Sequence, residues 1–77
     1  MYKVHIIADR NDRRKMSFDG IYIEPDPPPD IPEMKRRCVE YMRRRLEASD
    51  PEFRGCRIEI RLFRKIRTDF VYNDRET

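Results

Sequence analysis

A run of prolines divides this chain into two parts that must fold differently. Four of its six prolines lie between Pro25 and Pro29, in the segment EPDPPPDIP. Each proline removes a backbone donor and fixes φ, so the segment favours an extended polyproline conformation and can continue neither a sheet nor a helix. We predict a stiff spacer over residues 25–30, with strands before it and a helix after it. A proline-motif ligand is the rival interpretation, although the flanking residues are acidic rather than basic.

The first residues of the chain have the alternation of a strand. In YKVHIIAD an apolar residue recurs at every second position, which predicts a half-buried first strand. The positions that share this face are Tyr2, Val4, Ile6 and Ala8. The next segment, residues 9–14 with the sequence DRNDRR, reads as a polar loop.

Residues 15–24 change the parity of their apolar positions. Met16 and Phe18 share one parity, whereas Ile21 and Ile23 share the other. A type I′ turn at residues 19–20, with the sequence Asp-Gly, would reverse the face and form a hairpin. A bulge at Gly20 within one longer strand would also fit. We favour the hairpin.

The residues after the spacer predict one amphipathic helix. Asp30 and Glu33 match a capping box, and Pro32 is tolerated in the first turn, so the helix should run from about Ile31 to Ala48. Asp-Pro at residues 50–51 ends it. At about 100° per residue, one side of the helix is apolar. This core face contains Ile31, Met34, Cys38, Tyr41, Met42 and Leu46, with Val39 at its margin.

The outer face of this helix is dense in arginine but also in glutamate. The stretch MKRRCVEYMRRRLE places six basic side chains in fourteen residues, and a glutamate recurs at every seventh position from Glu33, just before the stretch, to Glu47. A glutamate therefore lies three or four positions from each of four arginines: Arg36, Arg37, Arg43 and Arg44. Such pairs stabilise a helix by about 0.2 to 0.5 kcal/mol each and neutralise one another. We interpret this face as a solvated, self-paired surface rather than a phosphate site.

The remaining residues predict a second hairpin. Residues 56–63 alternate again, with Ile58, Ile60 and Leu62 on one face, and a last apolar run contains Phe70, Val71 and Tyr72. Pairing these segments around residue 65 places their apolar side chains on one face. The Arg-Lys-Ile sequence there is poor turn chemistry, so the register is less defined than the pairing. Residues 73–77 should fray.

Together these segments predict a single small α+β domain over residues 1–77. One amphipathic helix packs on one face of a small antiparallel sheet, in the order β, β-hairpin, α, β-hairpin. A single helix leaves one sheet face and the sheet edges uncovered. Ile7, Phe63 and Val71 are therefore candidates for an exposed patch that binds a partner.

Several functional classes are disfavoured by composition. No nucleophile has a catalytic motif around it, no close group of metal ligands occurs, and only two glycines are present, so we predict neither an enzyme nor a cofactor or metal site. No apolar run resembles a signal peptide or membrane span, which predicts a cytoplasmic protein. The two cysteines, Cys38 and Cys56, are interpreted as reduced and buried. A disulfide between helix and sheet is the alternative.

The charged fraction of 43% is balanced to a net charge of +3, so any binding argument depends on where the charges lie. Basic residues with fewer acidic neighbours lie in the loop after the first strand and on the predicted open sheet face. The predicted binding residues are Lys3, His5, Arg10, Arg13, Arg14, Lys15, Arg57, Arg61, Phe63 and Arg67.

Two functions are consistent with this pattern. The first is protein–protein interaction, as a self-associating, adaptor or inhibitor module that binds through the uncovered sheet face or an edge strand. The alternative is nucleic-acid binding, preferentially single-stranded, in which basic side chains contact phosphates and Phe63 stacks on a base. Because most charges are compensated, we favour the protein partner. No small-molecule substrate is indicated.

Overall fold

The structure is a computed structural model, which describes residues 1–66. It contains β1 (Tyr2–Asp9), β2 (Lys15–Tyr22), α1 (Ile31–Ser49), a short 3-10 helix (Pro51–Phe53) and β3 (Ile58–Lys65). The strands form one sheet in the order β2-β1-β3, and both outer strands are antiparallel to β1. The predicted α+β class, with one helix on an antiparallel sheet, is confirmed. The predicted strand at residues 70–72 and the tail 73–77 lie outside the described residues.

β1 forms the centre of the sheet and of the core. Its even-numbered side chains are all buried, as the alternation predicted, and Val4 and Ile6 are almost completely excluded from solvent. They pack with Met34 and Cys38, the two buried side chains of α1. Fully burying an aliphatic side chain contributes about 1.5 to 3 kcal/mol, so this packing is the main reason that α1 lies over the sheet.

β2 is one continuous strand, so the predicted hairpin at residues 19–20 is wrong. Its register with β1 runs without a shift from Tyr22 opposite Tyr2 to Lys15 opposite Asp9, and a bulge at Gly20 is absent as well. The Asp-Gly pair favours a turn only locally, whereas a tight turn there would break the ladder that β2 makes with β1 over its whole length. The parity change remains: Ile21 points away from the helix.

β3 contains a one-residue bulge that reverses the predicted faces of its second half. His5 pairs with Leu62 and Ile6 with Ile60, which leaves Arg61 as an extra residue. Phe63 therefore lies on the helix side of the sheet, and its ring stacks on that of Tyr2 with centroids 4.3 Å apart. The prediction placed Phe63 on the open face, because simple alternation cannot anticipate a bulge.

The helix begins where it was predicted. The Asp30 carboxylate accepts a hydrogen bond from the Glu33 amide at 2.9 Å, which is an N-cap. The predicted capping box is only half formed, because the Glu33 carboxylate binds Arg36 and Arg37 instead. The helix ends at Ser49, one residue later than predicted.

Candidate functional site

The sheet face opposite α1, the open face, is built from the odd-numbered residues of β1 and their neighbours. Across the sheet, Lys3 lies between Ile21 and Arg64, and His5 lies between Asp19 and Leu62. Side chains directly opposite each other on one face of an antiparallel sheet are neighbours. The open face is therefore a mixture of basic, acidic and aliphatic groups.

Charges of opposite sign alternate on this face. His5 Nδ1 and Asp19 Oδ1 are 2.7 Å apart, and Arg61 Nη1 lies 3.2 Å from Glu59 Oε1. A small cavity of about 140 Å³ near the other end of β1 is lined by Lys15, Arg57 and the acidic side chains of β1 and β3. The predicted cations of the open face are thus placed near one another, and all of them except Lys3 have acidic neighbours.

The predicted basic loop does not join this face as one cluster. Arg10 turns toward the end of α1, where its guanidinium lies 5.7 Å from the Phe53 ring and 3.2 Å from an Asp50 carboxylate oxygen. Arg14 pairs with Asp12 at 3.3 Å. Arg10 is therefore held at the end of the helix, away from the open face.

Two other predicted residues fall outside the assembled face. Arg13 is exposed and has a left-handed φ of 70°, at the turn between β1 and β2. Arg67 lies outside the described residues. Of the predicted set, the structure brings Lys3, His5 and Lys15 to the open face, with Arg57 and Arg61 beside them.

A groove that the sequence did not suggest runs between β2 and the second half of α1. It has a volume of about 380 Å³ and is lined mainly by Phe18, Tyr41, Met42 and Leu46, with Arg45 at its rim. Arg45 donates a hydrogen bond to the Tyr41 hydroxyl at 2.9 Å. We call this surface the β2 groove.

Gly20 explains why the β2 groove exists. It lies on the helix side of the sheet, opposite Val4, at the point where a longer side chain would fill the space under α1. A Cβ atom at this position would lie 3.2 Å from the Cε atom of Met42. Glycine therefore lets Met42 approach the backbone of β2 and leaves the groove open at its side.

The backbone groups at the outer edge of β2 can be assigned from the ladder. The amide of Arg10 donates to the Arg14 carbonyl, so even-numbered residues of this hairpin direct their polar backbone groups at each other. The amide of Asp9 donates to the Arg57 carbonyl on the other side, as the alternation requires. The odd-numbered residues of β2 therefore present N–H and C=O groups outward, and no strand within residues 1–66 pairs with them.

Apolar side chains flank this outer edge on both faces of the sheet. On the helix side, Met16 is 39% exposed and Tyr41 is 41% exposed. On the open side, Ile21 is 45% exposed and Ile23, just beyond the strand, is 74% exposed. One signal in the sequence could have shown this: a single strand with apolar residues in both parities requires cover on both of its faces.

The described part of the chain offers little for other chemistry. No group of three or more potential metal ligands clusters within residues 1–66. Cys38 and Cys56 are free and buried, and burial raises the pKa of the Cys38 thiol to about 11, which makes it a poor nucleophile. Among residues 1–66 there is no helix with the length and apolar character needed to cross a bilayer.

Comparisons with protein-family models, with curated proteins and with solved structures find no match to this chain.

Proposed function

We propose that this protein is a protein-binding module that accepts an extended segment of a partner along the outer edge of β2. The observation that carries the proposal is the combination of an unpaired edge, within residues 1–66, with apolar side chains on both of its faces. An exposed strand edge is a template for another strand, and native proteins usually protect it with proline, bulges or charges. Within β2 the charged residues are only Lys15 and Asp19.

An added strand would use both apolar rows. Its backbone would pair with the outward N–H and C=O groups of the odd-numbered residues of β2. Alternate side chains of a strand point to opposite faces, so one set would enter the β2 groove beside Tyr41 and Met42, and the other would cover Ile21 and Ile23. In this mode of recognition, main-chain hydrogen bonds supply affinity and the side-chain pockets supply specificity.

Crosslinking tests this proposal directly. A photoreactive amino acid at Ile21 should trap a protein partner in extracts of the source cell, whereas the same group at Leu62 should not. Leu62 is the matched control because it is 40% exposed and lies on the same open face, but on β3. Equal trapping at both positions, or none at either, contradicts the proposal.

Nucleic-acid binding on the open face is the alternative, and one observation favours it. Lys3 and Arg64 are directly opposite each other and both are exposed. The ring of Phe63, which was predicted to stack on a base, lies on the helix side of the sheet. No other aromatic side chain of residues 1–66 lies on the open face. Charge alone would then carry binding, without the stacking that holds single strands.

A gel-shift titration with single-stranded and duplex probes at low salt separates the two functions. If nucleic acid binds, reversing Lys3 and Arg64 to Glu should lower the affinity and reduce the log-log salt slope by roughly 0.7 to 0.9 for each phosphate that is no longer neutralised. The control reverses Arg36 and Arg43, which are held by Glu33 and Glu40 on the outer face of α1. Absence of a salt-dependent shift with either probe removes this alternative.

A further inference from the structure

We infer that the segment bound at the outer edge of β2 is β2 of a second copy of this chain, paired antiparallel, so that the sheets formed by residues 1–66 of the two copies join into one continuous sheet. This inference rests on the proposed function and names its partner. A two-fold axis perpendicular to the sheet relates the copies, so both helices lie on the same side. Closed two-fold symmetry is the commonest arrangement of homo-oligomers.

The charges at the two ends of β2 favour a second copy in this orientation. Arg13, Arg14 and Lys15 lie at its start and are exposed. Asp26 follows its end and is exposed, and Glu24 precedes it, bound to the N-terminal ammonium at 3.4 Å. Antiparallel pairing of two identical strands places the basic end of each beside the acidic end of the other, and it does so twice. Parallel pairing would oppose like charges at both ends, which destabilises a strand pair.

The backbone pattern permits this pairing. An antiparallel ladder about a perpendicular two-fold axis sets odd-numbered residues opposite odd-numbered residues, and these are the positions of β2 whose backbone groups point outward. Side chains opposite each other then share a face, so open-face residues of β2 meet open-face residues of the second copy, and helix-side residues meet helix-side residues.

Charge favours one register. Centred on Gly20, it places Phe18 opposite Tyr22 of the second copy, Arg14 opposite its Asp26 and Ile21 opposite its Asp19. A register centred one residue earlier, on Asp19, would place two carboxylates directly opposite each other. With Gly20 at the axis, no side chain of β2 occupies the centre of the helix-side surface. Met42 and Tyr41 of both copies can then fill the joined grooves.

Sedimentation equilibrium of the full chain tests the association. We expect the wild type to be in a monomer–dimer equilibrium, and the double variant Ile21→Glu, Ile23→Glu to raise the dissociation constant by roughly tenfold or more, since the carboxylate introduced at position 21 would lie opposite Asp19 of the other copy, twice in each dimer. Both isoleucines are exposed, so the variant should fold, which circular dichroism checks. The matched control, Leu62→Glu, adds charge to the same face on β3 and should leave the constant unchanged.

A charge exchange tests the register. Arg14→Glu alone and Asp26→Arg alone should each weaken dimerisation by roughly three- to tenfold at low salt, because two exposed pairs become repulsive. An equimolar mixture of the two variants should restore wild-type affinity, since both pairs in the mixed dimer are attractive. A mixture that associates no better than either variant contradicts the register centred on Gly20.

The failures of the two proposals are distinguishable. A wild type that stays monomeric up to about 1 mM, the range of very weak binding, overturns the second copy as partner. If a probe at Ile21 nevertheless traps a different protein, strand addition at β2 survives with another occupant. A dimer that the Ile21→Glu, Ile23→Glu variant and the Leu62→Glu control affect equally overturns the self-pairing of β2.

Discussion

β2 and β3 flank the same central strand, have the same length and run in the same direction, yet their side chains fill the space beneath α1 to different extents. β3 places Ile58, Ile60 and Phe63 against the core. At the middle of β2 the corresponding position is Gly20, which has no side chain, and the β2 groove remains. One side of β1 is thus filled beneath α1, and the other is partly empty.

The difference lies in one inserted residue and one missing side chain. The extra residue Arg61 in β3 corrects the parity of the strand, so that Phe63 reaches the core. β2 has no such bulge, and Ile21 and Ile23 remain on the open face. The two strands therefore have different roles: β3 completes the core, whereas β2 leaves apolar surface exposed.

Deleting single residues from β3 should give the largest effect. Removal of Arg61 should leave the fold intact, because Ile58, Ile60 and Phe63 then face α1 in a regular alternation. Removal of Glu59 should force one of these core side chains out of the core and lower the free energy of unfolding by about 2 to 4 kcal/mol. Chemical denaturation of both variants measures the contrast, and equal losses would show that Arg61 is not the inserted residue.

Truncation of adjacent side chains should separate the two faces of β3. Phe63→Ala should lower the free energy of unfolding by about 2 to 3 kcal/mol, because the variant loses the stack on Tyr2 and leaves a cavity. The loss should be somewhat smaller than for a fully buried ring, since Phe63 is only partly buried. Leu62→Ala, on the open face, should change it by less than about 0.5 kcal/mol. Thermal melts of the two variants check this order, and a larger loss for Leu62→Ala would place the bulge elsewhere.

The anchoring of α1 can be tested at its first turn. Asp30→Ala should lower the free energy of unfolding by about 1 kcal/mol, since the Glu33 amide loses its acceptor. Asp30→Asn is the control and should retain most of the stability, because Asn is an equally good N-cap. An unchanged denaturation midpoint for Asp30→Ala would remove Asp30 as the helix start.

Lowering the pH should reveal a smaller contribution of the outer face of α1 to the free energy of unfolding. Hydrogen bonding from Arg36, with help from Arg37, lowers the pKa of Glu33 from 4.5 to about 2. Because the folded-state pKa is the lower one, the stabilisation is fully present above pH 4.5 and is lost as the pH falls toward 2. Glu33→Gln should lower the free energy of unfolding near neutral pH, flatten the stability profile between pH 4.5 and 2, and converge with the wild type at the acid end of this window. An identical acid profile for this variant would show that the pair makes no net contribution.

Much of the fold could be predicted from local patterns. The alternation of β1 defined its bounds, and the cap at Asp30 defined the start of the helix. Both signals depend on residues close in sequence, so no tertiary information is needed. The pairing on the outer face of α1 was confirmed at Glu33 and Glu40, whereas Glu47 binds the amide of Gly55 instead.

What the sequence did not reveal depends on distant partners. Asp-Gly at residues 19–20 favours a turn locally, but the pairing of β2 with β1 along its whole length keeps these residues in a strand. The face of Phe63 is decided by a bulge whose presence shows only when β3 is paired with β1. The β2 groove depends on where α1 packs across the sheet, and the periodicity of a single segment does not determine where the helix packs.

The central place of β1 also constrains the order in which the molecule can form. β1 and β2 are joined by a short turn, so their hairpin closes a small loop and can form within microseconds. β3 must instead find β1 across the whole helix, since Tyr2 pairs with Lys65. Such non-local pairing slows folding because a long loop must close first. The rate-limiting step should therefore be the docking of β3 and α1 onto a preformed hairpin whose apolar face is briefly exposed to water.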